Sequence, residues 1–171
     1  MPNEACRNRI FGKYQPVSHI MDIRRAKPQD AAILTEIAFA SKRHWGYPER
    51  WIQSRKVVLT IQPEFISSHE TYIAYVEKQA VGFYALAKGK NRMSLEHLWV
   101  LPKAMGQGVG RALFSHAVQR AKALGAEAIE VESDPNAEKF YEQMGARRVS
   151  SKITELEGQP RALPVLIYDC R

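Results

Sequence analysis

Three glycines at alternate positions, Gly106-Gln107-Gly108-Val109-Gly110, stand just behind Val100-Leu101-Pro102 and just before a run with helical periodicity. Amides in the first turn of a helix have no carbonyl partner inside the helix. With the helix dipole they attract phosphate oxygens, and glycines let a backbone come close to such a group. The stretch reads either as a pyrophosphate cradle or as a tight strand-to-helix turn that needs glycine only for its backbone angles. Two common nucleotide signatures fail on it. A dinucleotide fingerprint needs glycine at the sixth place from Gly106, which is Arg111, and a P-loop needs Lys followed by Ser or Thr where Arg111-Ala112 stands. The sequence holds no serine elbow, zinc spacing or metal-binding loop. A second place of interest is His44-Trp45-Gly46-Tyr47-Pro48, an aromatic-rich break of the kind that often lines sites.

These residues need elements to position them. Alternation over Met21-Asp22-Ile23-Arg24-Arg25-Ala26 predicts a half-buried strand, and Pro28 suits the first turn of a helix over residues 29–43, with Ile33, Leu34 and Ile37 on one side. A short helix through Trp51 and Ile52 follows the aromatic break. Thr71 to Val76, Ala80 to Ala87 and Met93 to Leu101 are β-prone runs with short connections, an antiparallel meander that Pro102 ends. The glycine loop then opens a helix carrying Leu113, Phe114, Ala117, Ala121 and Leu124 inward, with Gly125 as its stop. Ala128 to Val131 is a strand, Asp134 caps a helix beginning at Pro135, and Arg147 to Ile153 and Leu163 to Tyr168 close the fold around Gly158 and Pro160. The expected class is α/β, a mostly antiparallel mixed sheet with helices on both faces. Residues 1–20, with Pro2, Gly12 and Pro16 and no periodicity, are expected to be an extension outside a single domain of residues 21–171.

The chain has 171 residues, enough for one core, and its 45% hydrophobic and 25% charged content suits a folded globular protein. No apolar run reaches the ~20 residues of a membrane helix, and none near the start suits a secretory signal. Cys6 and Cys170 lie near opposite ends without metal or redox spacing. A cytoplasmic protein without membrane attachment is the expectation. The formal net charge of +7 makes an anionic partner plausible, but Lys and Arg are interspersed with Glu and Asp, so no nucleic-acid partner is expected.

Leu98-Trp99-Val100-Leu101-Pro102, then Gly106 to Leu113, then Asp134-Pro135-Asn136-Ala137-Glu138-Lys139-Phe140-Tyr141-Glu142-Gln143-Met144-Gly145 together resemble the GNAT superfamily of N-acetyltransferases. The resemblance spans nearly all of residues 21–170. It implies a sheet splayed between the fourth and fifth strands, Met93 to Leu101 and Ala128 to Val131, and direct acetyl transfer from acetyl-CoA to an amine. It also departs from the family in three places: Met105 stands where Arg or Gln is usual, Asp134 where Asn is common, and Ala146 where Phe is usual.

By that resemblance the backbone of Leu98, Trp99 and Val100 pairs with the pantetheine arm. Gly106, Gln107, Gly108, Val109, Gly110 and Arg111 hold the pyrophosphate, and either Asp134 or Asn136 contacts ligand or substrate. Lys103, Arg111 or Lys139 would neutralise phosphates, unless they are ordinary solvated charges. Tyr141 is the expected acid for the departing thiolate. An amine with a pKa near ~10 must lose a proton before it attacks, and Glu96 is the candidate base, with Glu130 and Glu132 in reserve. His97, one residue on, faces the other way and reads as packing or hydrogen bonding. His44, Trp45 and Tyr47, with Trp51 nearby, are expected on the acceptor side, where Glu49 and Glu64 could attract a cation. The expected acceptor is a small-molecule primary amine. A peptide or protein amine is the rival, and a non-catalytic CoA sensor or a basic nucleic-acid-binding domain is the alternative from another class. A homodimer is compatible with the sequence.

Overall fold

The computed structural model describes residues 21–171, so the extension expected over residues 1–20 lies outside the described residues. Strand β1, Met21–Arg25, leads through a 3-10 turn at Pro28–Asp30 into helix α1, Ala31–His44. Proline suits that entry because its missing N–H is one a helix start would leave unpaired. Three short helices follow, α2 Glu49–Ser54, α3 Lys56–Leu59 and α4 Pro63–Ser68, where a single one is expected. Each is too short to display a helical period, and burial of Ile52, Leu59 and Ile66 holds them in place.

Strands β2 Glu70–Val76, β3 Gln79–Lys88 and β4 Arg92–Val100 form the expected antiparallel meander. Helix α5 Val109–Ala123, strand β5 Ala128–Glu132 and helix α6 Glu138–Gln143 come next, then the hairpin of β6 Arg147–Leu156 and β7 Gln159–Asp169. The hairpin outruns its expected span. Glu157 and Gly158, both left-handed at φ +52° and +75°, make a two-residue turn whose twist lets the ladder run to the tip. The helix expected at Pro135 begins instead as a 3-10 turn, Pro135–Ala137, with the Asp134 side chain accepting from the Asn136 amide.

Among the described residues seven strands lie in the order β1-β2-β3-β4-β5-β7-β6, and of these neighbours only β4 and β5 run parallel. On one face α1 to α4 bury Leu34, Ile37, Ile52 and Ile66 against Ile73 and Phe83; on the other α5 and α6 bury Leu113, Phe114 and Tyr141 against Tyr84, Ile129 and Leu166. Each such large side chain contributes roughly 1.5–3 kcal/mol when fully removed from water. Among the described residues no helix is long and apolar enough to cross a membrane.

Strand β4 sets up the site. Ala85 of β3 faces His97 while Leu86 faces Leu95, so Glu96 has no partner across the ladder and forms a bulge. A bulge bends its strand and increases its twist. Pairing with β5 is confined to Arg92, Met93 and Ser94 against Ala128, Ile129 and Glu130. Beyond that point the two strands part, which places the expected splay at the bulge.

Candidate active site

The fork between β4 and β5 holds a cavity of about 430 Å3. One wall is β4 from Leu95 to Val100. The other is Val131 to Asp134 with Asn136, Phe140 and Tyr141, while Ser41 of α1 and Trp45 just beyond its end close one side. Among the described residues, β4 has no strand on its β5 side past Ser94. The N–H and C=O groups of that edge can therefore pair with an extended amide-bearing chain as a neighbouring strand would. The side chains of Leu98 and Val100 pack on the α5 cluster, and Trp99 packs on the opposite one. Trp99 donates its indole N–H to Nδ1 of His97 at 2.9 Å. His97 is buried edge-on to Phe65, and burial, then the nearby His69, lowers its pKa to about 4, so the ring is neutral.

The glycine loop lies at one end of the cavity. Gly106 and Gly108 have φ +74° and +84°, and a Cβ at either would meet open space. The left-handed backbone, rather than crowding, is what demands glycine there. Gly108 is the N-cap of α5 and offers no side chain to its first turn, so the amides of Val109, Gly110 and Arg111 have no partner within the helix. Gly106, Gly108, Gly110 and Arg111 line the cavity, as does Met105. Gln107 and Val109 do not: Gln107 donates to the Lys103 carbonyl at 2.8 Å, and Val109 is buried against the core. Lys103 donates to Gln79 at 3.0 Å, and Lys139 is exposed; neither borders the cavity.

Tyr141 is 6% exposed, its ring edge-on to Phe114 at 5.6 Å and Phe140 at 5.0 Å. The hydroxyl has no hydrogen-bond partner among the described residues, and the side chain borders the cavity. Burial, then the negative charge of Asp134, pushes its phenol pKa upward, so it is fully protonated at neutral pH. Three carboxylates line the same cavity. Glu132 is bonded to Lys152 at 2.8 Å, and Asp134 pairs with Lys42 at 2.6 Å and Arg161 at 3.0 Å. Glu96 is exposed and has no ion pair or hydrogen bond among the described residues. Glu130 is paired with Arg92 at 3.5 Å and lies off the cavity wall.

A family model for the acetyltransferase (GNAT) domain matches residues 49–158. The chain belongs to the GNAT family of N-acetyltransferases. Among solved structures it is similar to a GCN5-related N-acetyltransferase from Rhodopseudomonas palustris, with a TM-score of 0.73 and 25% identity over 86% of this chain and 94% of that one. It is also similar to the PaiA N-acetyltransferase from Thermoplasma acidophilum, solved with coenzyme A (TM-score 0.68, 19% identity, 88% and 99% covered). A third is the alanine N-acetyltransferase of ribosomal protein S18 from Escherichia coli (TM-score 0.66, 16% identity, 88% and 94% covered). The last two likenesses speak for the fold alone. No curated protein sequence matches the chain.

Of the residues expected on the acceptor side of this GNAT enzyme, Trp45 borders the cavity and is 39% exposed, with His44 edge-on to it at 5.5 Å and itself outside the wall. Tyr47 also lies outside the wall, in a polar cluster. Its hydroxyl donates to Asp134 at 2.9 Å and accepts from Asn136 at 3.0 Å and Arg161 at 2.9 Å. Burial alone would raise the Asp134 pKa, but hydrogen bonds and charge from Lys42, then the Asn136 amide and Tyr47, hold it at about 2. The same burial lowers the Lys42 pKa, and Asp134 only partly offsets it. Trp51 donates to Glu157 at 2.5 Å, Glu49 is bonded to Arg43 at 2.8 Å, and Glu64 is exposed; all three lie off the cavity wall. Sequence reasoning did not single out Ser41, Lys42, Ser133, Glu157 or Arg161. The one available signal was an aspartate where the family commonly has asparagine. An asparagine could not neutralise Lys42 and Arg161, and an aspartate does.

Proposed function

We propose that this protein transfers the acetyl group of acetyl-CoA to the primary amine of a small molecule, without an enzyme nucleophile. The observation that carries the reading is the pairing, in one cavity, of a neutral phenol on Tyr141 with Glu96, the one cavity-lining carboxylate that makes no ion pair or hydrogen bond among the described residues. The open edge of β4 and the left-handed Gly106 and Gly108 beside the first turn of α5 fit an extended pantetheine and its pyrophosphate. The bound cosubstrate supplies an acyl group activated as a thioester.

In this reading Glu96, directly or through one water, takes a proton from the incoming ammonium, which otherwise has no free electron pair at neutral pH. Tyr141 holds its proton until the leaving sulfur needs it, and the raised phenol pKa keeps that proton in place at rest. His97, neutral and tied to Trp99, shapes the wall and carries no charge there. The apolar wall of Leu98, Val131 and Phe140 excludes water that would compete with the amine. A small acceptor is supported by contacts that run across the acceptor side from Tyr47 and Trp51 to the β6–β7 hairpin.

Thermal unfolding with acetyl-CoA tests the first half of this reading. A ligand at ~100 times its Kd stabilises by ~2.7 kcal/mol, and acetyl-CoA is expected to do so while NAD and ATP do not. CoA release with a panel of primary amines tests the second half. Turnover of peptides alone, or of no amine, would overturn the small-acceptor assignment.

A further inference from the structure

The segment between α1 and α2 and the tip of the β6–β7 hairpin are joined by two tiers of contacts. In the outer tier Glu157, at the turn, accepts from Arg50 Nε at 3.0 Å and from Trp51 Nε1 at 2.5 Å. In the inner tier the Asp134 carboxylate receives Lys42 of α1, the Tyr47 hydroxyl, the Asn136 amide and Arg161 of β7, all at 2.6–3.0 Å. Tyr47 and Trp51 stack at 6.1 Å, which links the tiers. Asp134 and Asn136 themselves line the cavity, so this cluster is continuous with the wall of the reaction chamber.

We propose that these contacts form a clasp over the acceptor end of the cavity, and that Glu157 and Arg161 are thereby size-selecting residues which admit a compact amine and exclude a polypeptide. This rests on the reading above that the cavity binds acetyl-CoA and acylates small amines. The two tiers have different strengths. Lys42, Asp134 and Arg161 side chains are 14%, 14% and 19% exposed, and separating them would strand charges in a poorly hydrated place. Arg50 and Glu157 are more open, at 71% and 36%, so their ion pair is cheap to break. The outer tier can therefore yield while the inner one stays shut. A chain reaching past Asp134 and Asn136 on the cavity wall meets the Tyr47 hydroxyl and the Arg161 guanidinium, which are already 2.9 Å apart. Selection then comes from a bond that the wrong acceptor must break, a repulsive element that needs no contact with the right one.

The test is a binding measurement on the full chain with two synthetic probes: CoA bearing on its sulfur an acetyl-linked methylamide, and CoA bearing an acetyl-linked hexapeptide. Plain CoA serves as the reference. Glu157→Gly removes the outer carboxylate and keeps the left-handed turn; Glu157→Gly with Arg161→Ala opens both tiers. The wild type is expected to bind the methylamide probe at least about tenfold more tightly than the peptide probe, and the double variant to lose most of that ratio at unchanged CoA affinity. Equal binding of both probes by the wild type would overturn the proposal, as would an unchanged ratio in the double variant. If Arg161→Ala prevents folding, seen as loss of CoA binding, Arg161→Lys takes its place and must narrow the ratio. Failure to bind CoA at all would bring down the underlying reading and the clasp with it. A ratio that behaves as expected in an enzyme that acetylates no amine would leave the clasp standing and remove only the assigned reaction.

Discussion

Trp99 gives its indole N–H to Nδ1 of His97 at 2.9 Å, and that bond leaves the imidazole proton on Nε2. The two residues are neighbours but one on β4, and together they fill the face that α1 to α4 cover. Protonating His97 would place a charge among Phe65, Phe83 and Trp99 and cost the ring its acceptor role.

The pH dependence of stability follows from this. Burial holds the His97 pKa at about 4, below the ordinary 6.5 of the unfolded chain. Between those values the unfolded chain binds the extra proton, so stability falls as pH drops from about 6.5 to about 4, by up to about 3 kcal/mol. Urea unfolding at pH 7 and pH 4.5 should show that loss in the wild type and much less of it in His97→Asn, which keeps an acceptor for Trp99. Asp134, held at about 2, gives up its share only at still lower pH. Equal losses in both proteins would mean that His97 does not titrate in this window.

Tyr141→Phe keeps the ring between Phe114 and Phe140 and removes only the hydroxyl that borders the cavity. Turnover should fall about 10²- to 10³-fold while acetyl-CoA affinity, read by thermal shift, stays nearly constant. Unchanged turnover at saturating substrates would take Tyr141 out of the acid role.

Glu96 and Glu132 can be told apart by their partners. Glu132 is already bonded to Lys152, and Glu96 is not bonded to anything described. Glu96→Gln is expected to lower kcat/KM about 10²-fold, with the deficit shrinking as pH rises toward that of the free amine; Glu132→Gln should cost less than about tenfold. The reverse order would move the base to β5.

Asp134→Asn restores the residue common in the family and leaves Lys42 and Arg161 facing each other without a counter-charge. Because these side chains are largely buried, a loss of about 3 kcal/mol is expected in urea unfolding. Adding Lys42→Met should return part of it. A neutral single variant would show that water already screens the cluster.

The order of strands and helices was legible because β2 to β4 alternate cleanly and Pro102 and the glycine loop punctuate the chain where the strand stops and α5 starts. The strand edge and glycine loop that border the cavity came with them, since a strand edge and a helix start are local objects. The polar cluster around Asp134 did not. Asp134 meets Lys42 across 92 residues and Arg161 across 27, and no local pattern announces a pairing at that range. The short helices α3 and α4 were hidden for a related reason, since packing and not periodicity holds them. A strict alternation along β4 puts Glu96 on the face of Leu98 and Val100. The bulge at Glu96 puts Leu95 among the same core neighbours as well, a change of phase that a strict period of two cannot represent.

That bulge is a single surplus residue. Removing it in thought would let β3 and β4 pair without interruption and would take Glu96 out of the cavity wall. The same surplus residue that bends β4 is also the carboxylate proposed as the base, so a variant that regularises this ladder is expected to lose activity whatever it does to stability.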